Sequence, residues 1–367
     1  MSSCVNKLKQ KIIDYLIANA DPSIVLRVKK EVMGNLTKEE EKKLLNKIIP
    51  QKIVQTIIQS QKPDGWFGNN FHGQSAKKGA GMYDNMEVGL RYLAEKGFPP
   101  ENEYIAKAIN SFLSKEPFDA AYRVKPPNPP DTDYTYTAIG LYLIRSSLII
   151  RAGYEFLLPP NDFIDLKQDI DFSFKTFINV LNYKSLDDAI ETRRNKLCFK
   201  PGVLWPCLYD LRMLAHSQGW RNERNISLLV DSVNHLFSFP QTDEMVYTYR
   251  KGQFVGPCFA FIHVQAKILG LMDKDNISLD IMELFARCGI IKRVALLRDM
   301  YESLLALVDD DLNVNINLDK RKAFGWSPYF GFALEEDWKE KIRMQCDILF
   351  RILLIIHYAE MNVWNVA

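Results

Sequence analysis

The sequence predicts an all-α protein assembled from helical hairpins, and three observations carry that expectation. The first is the stretch Gln61 to Gly97, in which a glycine-rich aromatic turn (Asp64, Gly65, Trp66, Phe67, Gly68) leads through a polar loop into a helix from about Tyr83 to Lys96. That helix stops at Gly97, where glycine can take the left-handed conformation that closes helices. The second is recurrence of this plan at Asp133 to Gly153, Trp205 to Gly219 and Gly256 to Gly270. The closing glycines 97, 153, 219 and 270 lie about 50 to 65 residues apart, the length of two helices with their loops. The third is the scarcity of strand signals, Asp311 to Asp319 being the only clean two-residue alternation.

The remaining elements follow from local signals. Val5 to Ala20 has apolar residues at helical spacing. Asp21-Pro22 offers an N-cap followed by proline at the first helical position of a helix ending at Gly34. Thr37-x-x-Glu40 is a capping box that opens a charged helix, broken by Pro50 before the amphipathic QKIVQTIIQSQ. After Gly97, a helix from Glu103 to Ser114 carries one apolar stripe through Ala106, Ile109, Phe112 and Leu113. Prolines 126, 127, 129 and 130 stiffen an extended arm ahead of Asp131-Thr-Asp133-Tyr-Thr-Tyr136. Helices are expected at Leu166 to Leu181, Leu186 to Arg194 and Ile226 to Phe237, with two more between Leu279 and Leu307 and a final one from Leu334 to Tyr358. Met245 to Tyr249 is a candidate short strand.

Composition bounds the function. The 367 residues are 47% hydrophobic and 25% charged, as in soluble globular proteins, and a net charge of +2 gives no electrostatic reason to expect nucleic acid as a partner. The two longest apolar runs are interrupted by Arg145 and Arg351, so neither reads as a transmembrane span. Six scattered cysteines without a CxxC pair fit a reducing, cytoplasmic setting. A 12% aromatic share either fills a large core or lines a cavity for an apolar ligand.

Gln61-Lys-Pro-Asp64-Gly65-Trp-Phe67-Gly68 resembles the Q-x-x-D-G-x-W/F motif of the α/α-toroid superfamily, which includes terpene (squalene-type) cyclases and protein prenyltransferase β-subunits. In physical terms Gly65 allows a tight turn, Asp64 can bond backbone amides, Gln61 can tie one helix end to the next, and Phe67 packs between hairpins. The resemblance implies an (α/α) toroid over residues 51–367, preceded by an N-terminal helical extension over residues 1–50 packed on it. Inner helices would start near Tyr83, Tyr134, Trp205 and Pro257 and gather their N-terminal ends at a central cavity. Glu103 to Ser114 and Ile226 to Phe237 would lie outside.

The resemblance further implies an isoprenoid-type enzyme acting on a hydrophobic small molecule in an aromatic-lined cavity. Asp133, with Asp131, is then the candidate acid, although the cyclase D-x-D-D-T-A motif is incomplete here and Asp133 also reads as an N-cap. Candidate substrate-binding residues are Trp66, His72, Tyr134, Tyr136, Trp205, Tyr209, Tyr247, His263 and Trp326, the aromatic ones able to stabilise positive charge. The prenyltransferase zinc site needs Asp-x-Cys, and Trp205 stands two residues before Cys207. Cys258 and His263, five apart on one helix, point about 140° apart, so no metal and no other cofactor is expected. Two alternatives stay open: a non-catalytic toroid that binds a ligand or partner, and a carbohydrate-processing (α/α) barrel suggested by His72, Asp84 and Glu87. Oligomeric state is not legible.

Overall fold

The computed structural model describes residues 2–72, 85–114, 137–162, 164–240, 242, 244–250, 252–256, 260–262, 277–316, 318–329 and 331–361. These residues are mostly helical, with one small four-stranded sheet. The N-terminal segment contains α1 (Ser2–Asn19), α2 (Pro22–Arg27), a π-helical turn (Val28–Met33), α3 (Lys38–Ile48) and α4 (Lys52–Gln59). Asp21 caps Ser23 N, Pro22 begins α2, and Gly34 ends the π turn at φ 65°. The capping box is present: Thr37 Oγ1 accepts from Glu40 N and Glu40 Oε2 accepts from Thr37 N, both at 3.2 Å.

The turn that follows α4 behaves as its residues predict. Gly65 sits at φ 93°, and a Cβ there would lie 2.1 Å from the Lys107 carbonyl oxygen, so only glycine fits. Asp64 accepts from Trp66 N at 3.0 Å. Gln61 Nε2 donates to Gly65 O and, at 2.8 Å, to Tyr104 O at the start of the next outer helix. Phe67 is fully buried against Gly89, where an added Cβ would meet its ring at 2.7 Å.

Two layers of helices follow. One comprises α5 (Met86–Glu95), α7 (Thr137–Arg151), α10 (Leu208–His216), α12 (Ile277–Arg287) and α15 (Lys341–Glu360); the other comprises α6 (Glu103–Leu113), α8 (Leu166–Asn179), α11 (Glu223–Ser238) and α13 (Ala295–Ala306). Every residue of α5, and Leu208 to Ala215 of α10, is buried, whereas α6 and α11 bury one face and leave the other wet. That is the burial expected of inner and outer partners. The inner helices pack in chain order, α5 on α7, α7 on α10, α10 on α12 and α12 on α15. In turn α15 packs on α1 and on the π turn. The stretch expected to supply an inner helix at Pro257 lies largely outside the described residues.

The inner helices share a direction. Near their starts, Tyr209 of α10 bonds Glu87 of α5; at their ends, Arg151 of α7 pairs with Glu95 of α5, and Arg221, just past α10, donates to the carbonyl of Arg287 closing α12. One end of the layer therefore collects positive N-terminal helix dipoles and the other collects negative C-terminal ones.

Two local expectations are corrected and a third is met. Leu186 to Arg194 is not one helix: α9 (Leu186–Ala189) gives way to β1 (Ile190–Arg193), which pairs antiparallel with β2 (Lys196–Phe199). Arg194 and Asn195 both have positive φ, 46° and 59°, the two-residue turn that matches strand twist, here without glycine to announce it. The expected strand near Met245 exists as β3 (Tyr247–Arg250), which pairs parallel with β2 and antiparallel with β4 (Gln253–Val255). The alternating stretch at 311 forms no regular strand: Asp309 Oδ1 accepts from Asp311 N and Asn313 N and curls its start, with Leu312 at φ 62°. Between them, α14 (Lys320–Phe324) and a buried strap containing Trp326 lead to α15.

The final helix starts at Lys341 rather than Leu334 because the preceding backbone is engaged elsewhere. Asp347 accepts from Leu334 N at 2.7 Å, from Glu335 N and from Trp338 Nε1, while the buried Lys96 ammonium donates to the Leu334 carbonyl and, at 2.7 Å, to Gln51. Glu335 joins this cluster by accepting from Asp21 N at 2.7 Å and from Arg343 at 3.2 Å. Burial pushes the Glu335 carboxyl up to about 8, the Asp21 amide pulls it back, and Asp347 and Asp21 push it further than Arg343 can offset. A raised folded value favours the native state most below the ordinary value of 4.5 and loses that contribution as pH rises towards about 8. Glu335→Gln should therefore flatten the fall in stability across that window, as read by urea unfolding at several pH values; an unchanged slope would contradict the assignment.

Candidate functional site

The inner helices are apolar except for regularly spaced polar side chains. On α5 these include Glu87, Arg91 and Glu95, four apart and on one face; on α10 they include Tyr209, Arg212 and His216. Arg151 of α7, Asp280 of α12 and Arg351 of α15 meet them around a cavity of about 30 Å³. Such a volume holds about one water molecule. The centre of the inner layer is thus almost filled, and seven charged side chains contribute to its wall.

The C-terminal end is a guanidinium–carboxylate network. Glu95 accepts from Arg27 at 2.7 Å, from Arg151 Nε at 3.1 Å and from Arg351 at 3.3 Å, and Arg151 Nη2 lies 3.0 Å away as an ion pair. Arg351 continues to Glu283 at 2.8 Å, Glu283 to Arg287 at 2.8 Å, and Arg287 to Glu31 at 2.7 Å, which also pairs with Arg27. Burial alone would raise Glu95, but Arg151, Arg27 and Arg351 hold it well below the usual carboxylate range. Positive side chains here also answer the negative helix ends, Arg221 donating to the carbonyls of Leu214, Ala215 and Ser217. His216, between this end and a second cavity of about 280 Å³, is kept neutral by burial and by Arg151 and Arg287.

The N-terminal end carries groups suited to chemistry. Glu87, at the start of α5, is fully buried and is bonded at 2.6 Å by both His72 Nδ1 and the Tyr209 hydroxyl. Arg212 Nη1 lies 3.9 Å from the same carboxylate. Burial would raise Glu87, yet the His72 bond and charge, the Tyr209 hydroxyl and Arg212 keep it below its ordinary value, so it is ionised. Burial and then Glu87 raise Tyr209 well above an ordinary phenol, so its proton stays on. His72, 22% exposed at its side chain, is the member that reaches outward, and its Nε2 lies 3.3 Å from the Tyr329 hydroxyl. The His72, Tyr209 and Tyr329 rings meet edge to face with centroids 5.8 to 6.2 Å apart.

Of the residues expected from sequence, His72, Tyr209 and Trp326 converge here; the buried Trp326 lies edge-on to Tyr92 and under Arg91. Trp66 instead packs with Phe71 and Phe112, and Trp205 with Tyr183, Phe199 and Phe239, both away from the cavity. Tyr247 lies on the sheet beside Lys196 and Phe254. Asp131, Asp133, Tyr134, Tyr136 and His263 lie outside the described residues, as do Asp84 and Cys258. Cys207 and His216 stand at opposite ends of α10, about 13 Å apart along its axis, so they cannot share a metal ion. Among the described residues no group of three His, Cys, Asp or Glu side chains could hold one. No helix among them is long and apolar enough to cross a membrane.

Sequence reasoning passed over Arg91, Arg212, Asp280 and Tyr329. The available signal was a charged residue at every fourth position of a helix otherwise too apolar to face water, as in Glu87-x-x-x-Arg91-x-x-x-Glu95. No family model, curated protein or solved structure matches the chain.

The two phenols make separable predictions. Tyr209→Phe removes a hydrogen bond to a buried charge and should cost about 1.5–3 kcal/mol in urea unfolding, whereas Tyr329→Phe, on a part-buried 3.3 Å contact, should cost less than about 1 kcal/mol. Equal losses would contradict the description of Glu87 as the anchored member.

Proposed function

We propose that the chain is an α/α-toroid enzyme that performs general acid–base chemistry on a small, polar molecule at the N-terminal ends of its inner helices. The observation that carries this reading is the buried, ionised Glu87 bonded to His72 Nδ1 at 2.6 Å while the outward Nε2 faces a phenol. A carboxylate on one ring nitrogen fixes the imidazole tautomer and orientation and leaves the other nitrogen to take up or return a proton. Tyr329 adjoins that nitrogen, and Tyr209 holds Glu87 in position.

Glu87 itself does not serve as the acid. Glycan cleavage by paired carboxylates needs one carboxyl raised towards neutrality, and Glu87 is shifted the other way, so the proton passes through His72. The isoprenoid reading rests on Asp131 and Asp133, and the cavity wall contains Glu87, Arg91, Glu95, Arg151 and Arg212 beside Tyr209 and Trp326. Those walls favour a polar substrate over an isoprenoid. Support for the toroid comes from the two helix layers, the common direction of the inner helices, and Arg27, which joins the N-terminal segment to α5 where α15 meets the same segment.

The test is hydrogen transfer. Incubated in D2O with a metabolite extract, the wild-type protein should introduce deuterium into a metabolite that it also retains on a desalting column, as read by mass spectrometry. His72→Asn, which keeps an N–H donor for Glu87, should retain the metabolite and lose roughly 10²–10⁴-fold of the exchange rate. Equal exchange in the variant, or none in either protein, would contradict the proposal.

A further inference from the structure

We propose that the substrate of this acid–base site, a reading on which the inference rests, carries an oxyanion, and that Arg91 and Arg212 bind it in the place now taken by two main-chain carbonyls. Three N–H groups from these two buried guanidiniums converge on consecutive peptide oxygens of the strap between α14 and α15. Arg91 Nη2 donates to Ser327 O at 2.6 Å, Arg91 Nη1 to Pro328 O at 3.2 Å, and Arg212 Nη1 to Pro328 O at 2.9 Å. Among the described residues Arg212 Nη2 has no hydrogen-bond acceptor, Asp280 Oδ2 being 3.6 Å away.

A planar fork of guanidinium donors matches a carboxylate or phosphate, and bonds to such charged acceptors are about twice as strong as bonds to neutral carbonyls. Arg91 and Arg212 also repel one another. Burial and Arg212 together push Arg91 down to about 10, and an anion between them would relieve both effects. Glu87 and Asp280 balance the two arginines in formal charge, but Glu87 is occupied by His72 and Tyr209, and Asp280 stays beyond hydrogen-bond distance of Arg212.

A cavity of about 30 Å³ cannot admit such a ligand with the strap seated, so the anion must displace Ser327 to Tyr329. Tyr329 would leave His72 Nε2 in the same movement, which exposes the base only when the anion is bound. The strap is seated through Gly331, at φ 101°, where a Cβ would lie 2.7 Å from Trp326 Cα and 2.8 Å from its ring. Gly331→Ala therefore disfavours the seated form and offers a lever on the equilibrium.

Calorimetric titration at pH 7 with inorganic phosphate and, separately, with acetate tests the proposal, paired with backbone hydrogen exchange over residues 325–329. At least one anion should bind saturably and increase exchange in the strap, and the tighter arm identifies phosphate or carboxylate as the group recognised. Arg212→Lys should weaken binding by roughly tenfold, and Gly331→Ala should tighten it severalfold by removing the cost of opening. Absence of saturable binding by both anions overturns the proposal, as does binding that Gly331→Ala fails to tighten; the latter decides the matter should Arg212→Lys not fold. Binding is read without turnover, so the two readings separate. Anion binding without deuterium transfer sinks the acid–base role alone, and deuterium transfer without anion binding sinks the oxyanion site alone.

Discussion

The carboxylate of Glu95 is the point on which the inner layer depends. It sits at the end of α5, 8% exposed, and receives three guanidiniums from three different parts of the chain: Arg27 of the N-terminal segment, Arg151 of α7 and Arg351 of α15. Taking these charges out of water is costly, and only close, multiple pairing offsets it. The pairing fixes which helix ends lie together. Because Arg351 and Arg27 also reach α12 through Glu283, and Arg27 through Glu31 and Arg287, one network sets the relative positions of four inner helices and the N-terminal segment. The hydrophobic core supplies most of the stability, yet apolar contacts are tolerant of sliding; the charges are not.

A consequence of that arrangement is chemical polarity along the inner layer. Guanidiniums and neutral histidine gather where carbonyl ends accumulate, so the C-terminal end is electrically satisfied. Glu87, His72, Tyr209, Arg91 and Arg212 gather where amide ends accumulate, and there two arginines spend their donors on neutral carbonyls. One end holds the structure and the other keeps reactive groups. The organising turn at Gln61 to Gly68 serves this division indirectly: Phe67 packs on Gly89, two residues along from Glu87, and the chain leaving the turn delivers His72 to the carboxylate.

Much of this was legible in the sequence. The caps at Asp21 and Thr37, the stops at Gly34, Gly97 and Gly153, and the roles of Gln61, Asp64 and Phe67 follow from local rules, because caps and turns are decided within a few residues. His72, Tyr209 and Trp326 were identifiable as candidates, since Tyr209 opens a helix and the other two lie in or beside aromatic turns. The sheet was missed because its pairing of β2 with β3 joins residues nearly fifty positions apart. The charged centre was missed for a related reason. Arg91, Arg212 and Asp280 look like solvated helix residues one at a time, and only the packing of α5, α10 and α12 turns them inward together.

Buried charge pairing at Glu95 sets the arrangement of the inner helices. Urea unfolding of Glu95→Gln, compared with wild type at neutral pH, tests it most directly. The substitution keeps volume and some hydrogen bonding but leaves Arg27, Arg151 and Arg351 without their shared carboxylate, and the account predicts a loss of about 3–5 kcal/mol. A loss below about 1 kcal/mol, within the range of an exposed pair, would contradict it.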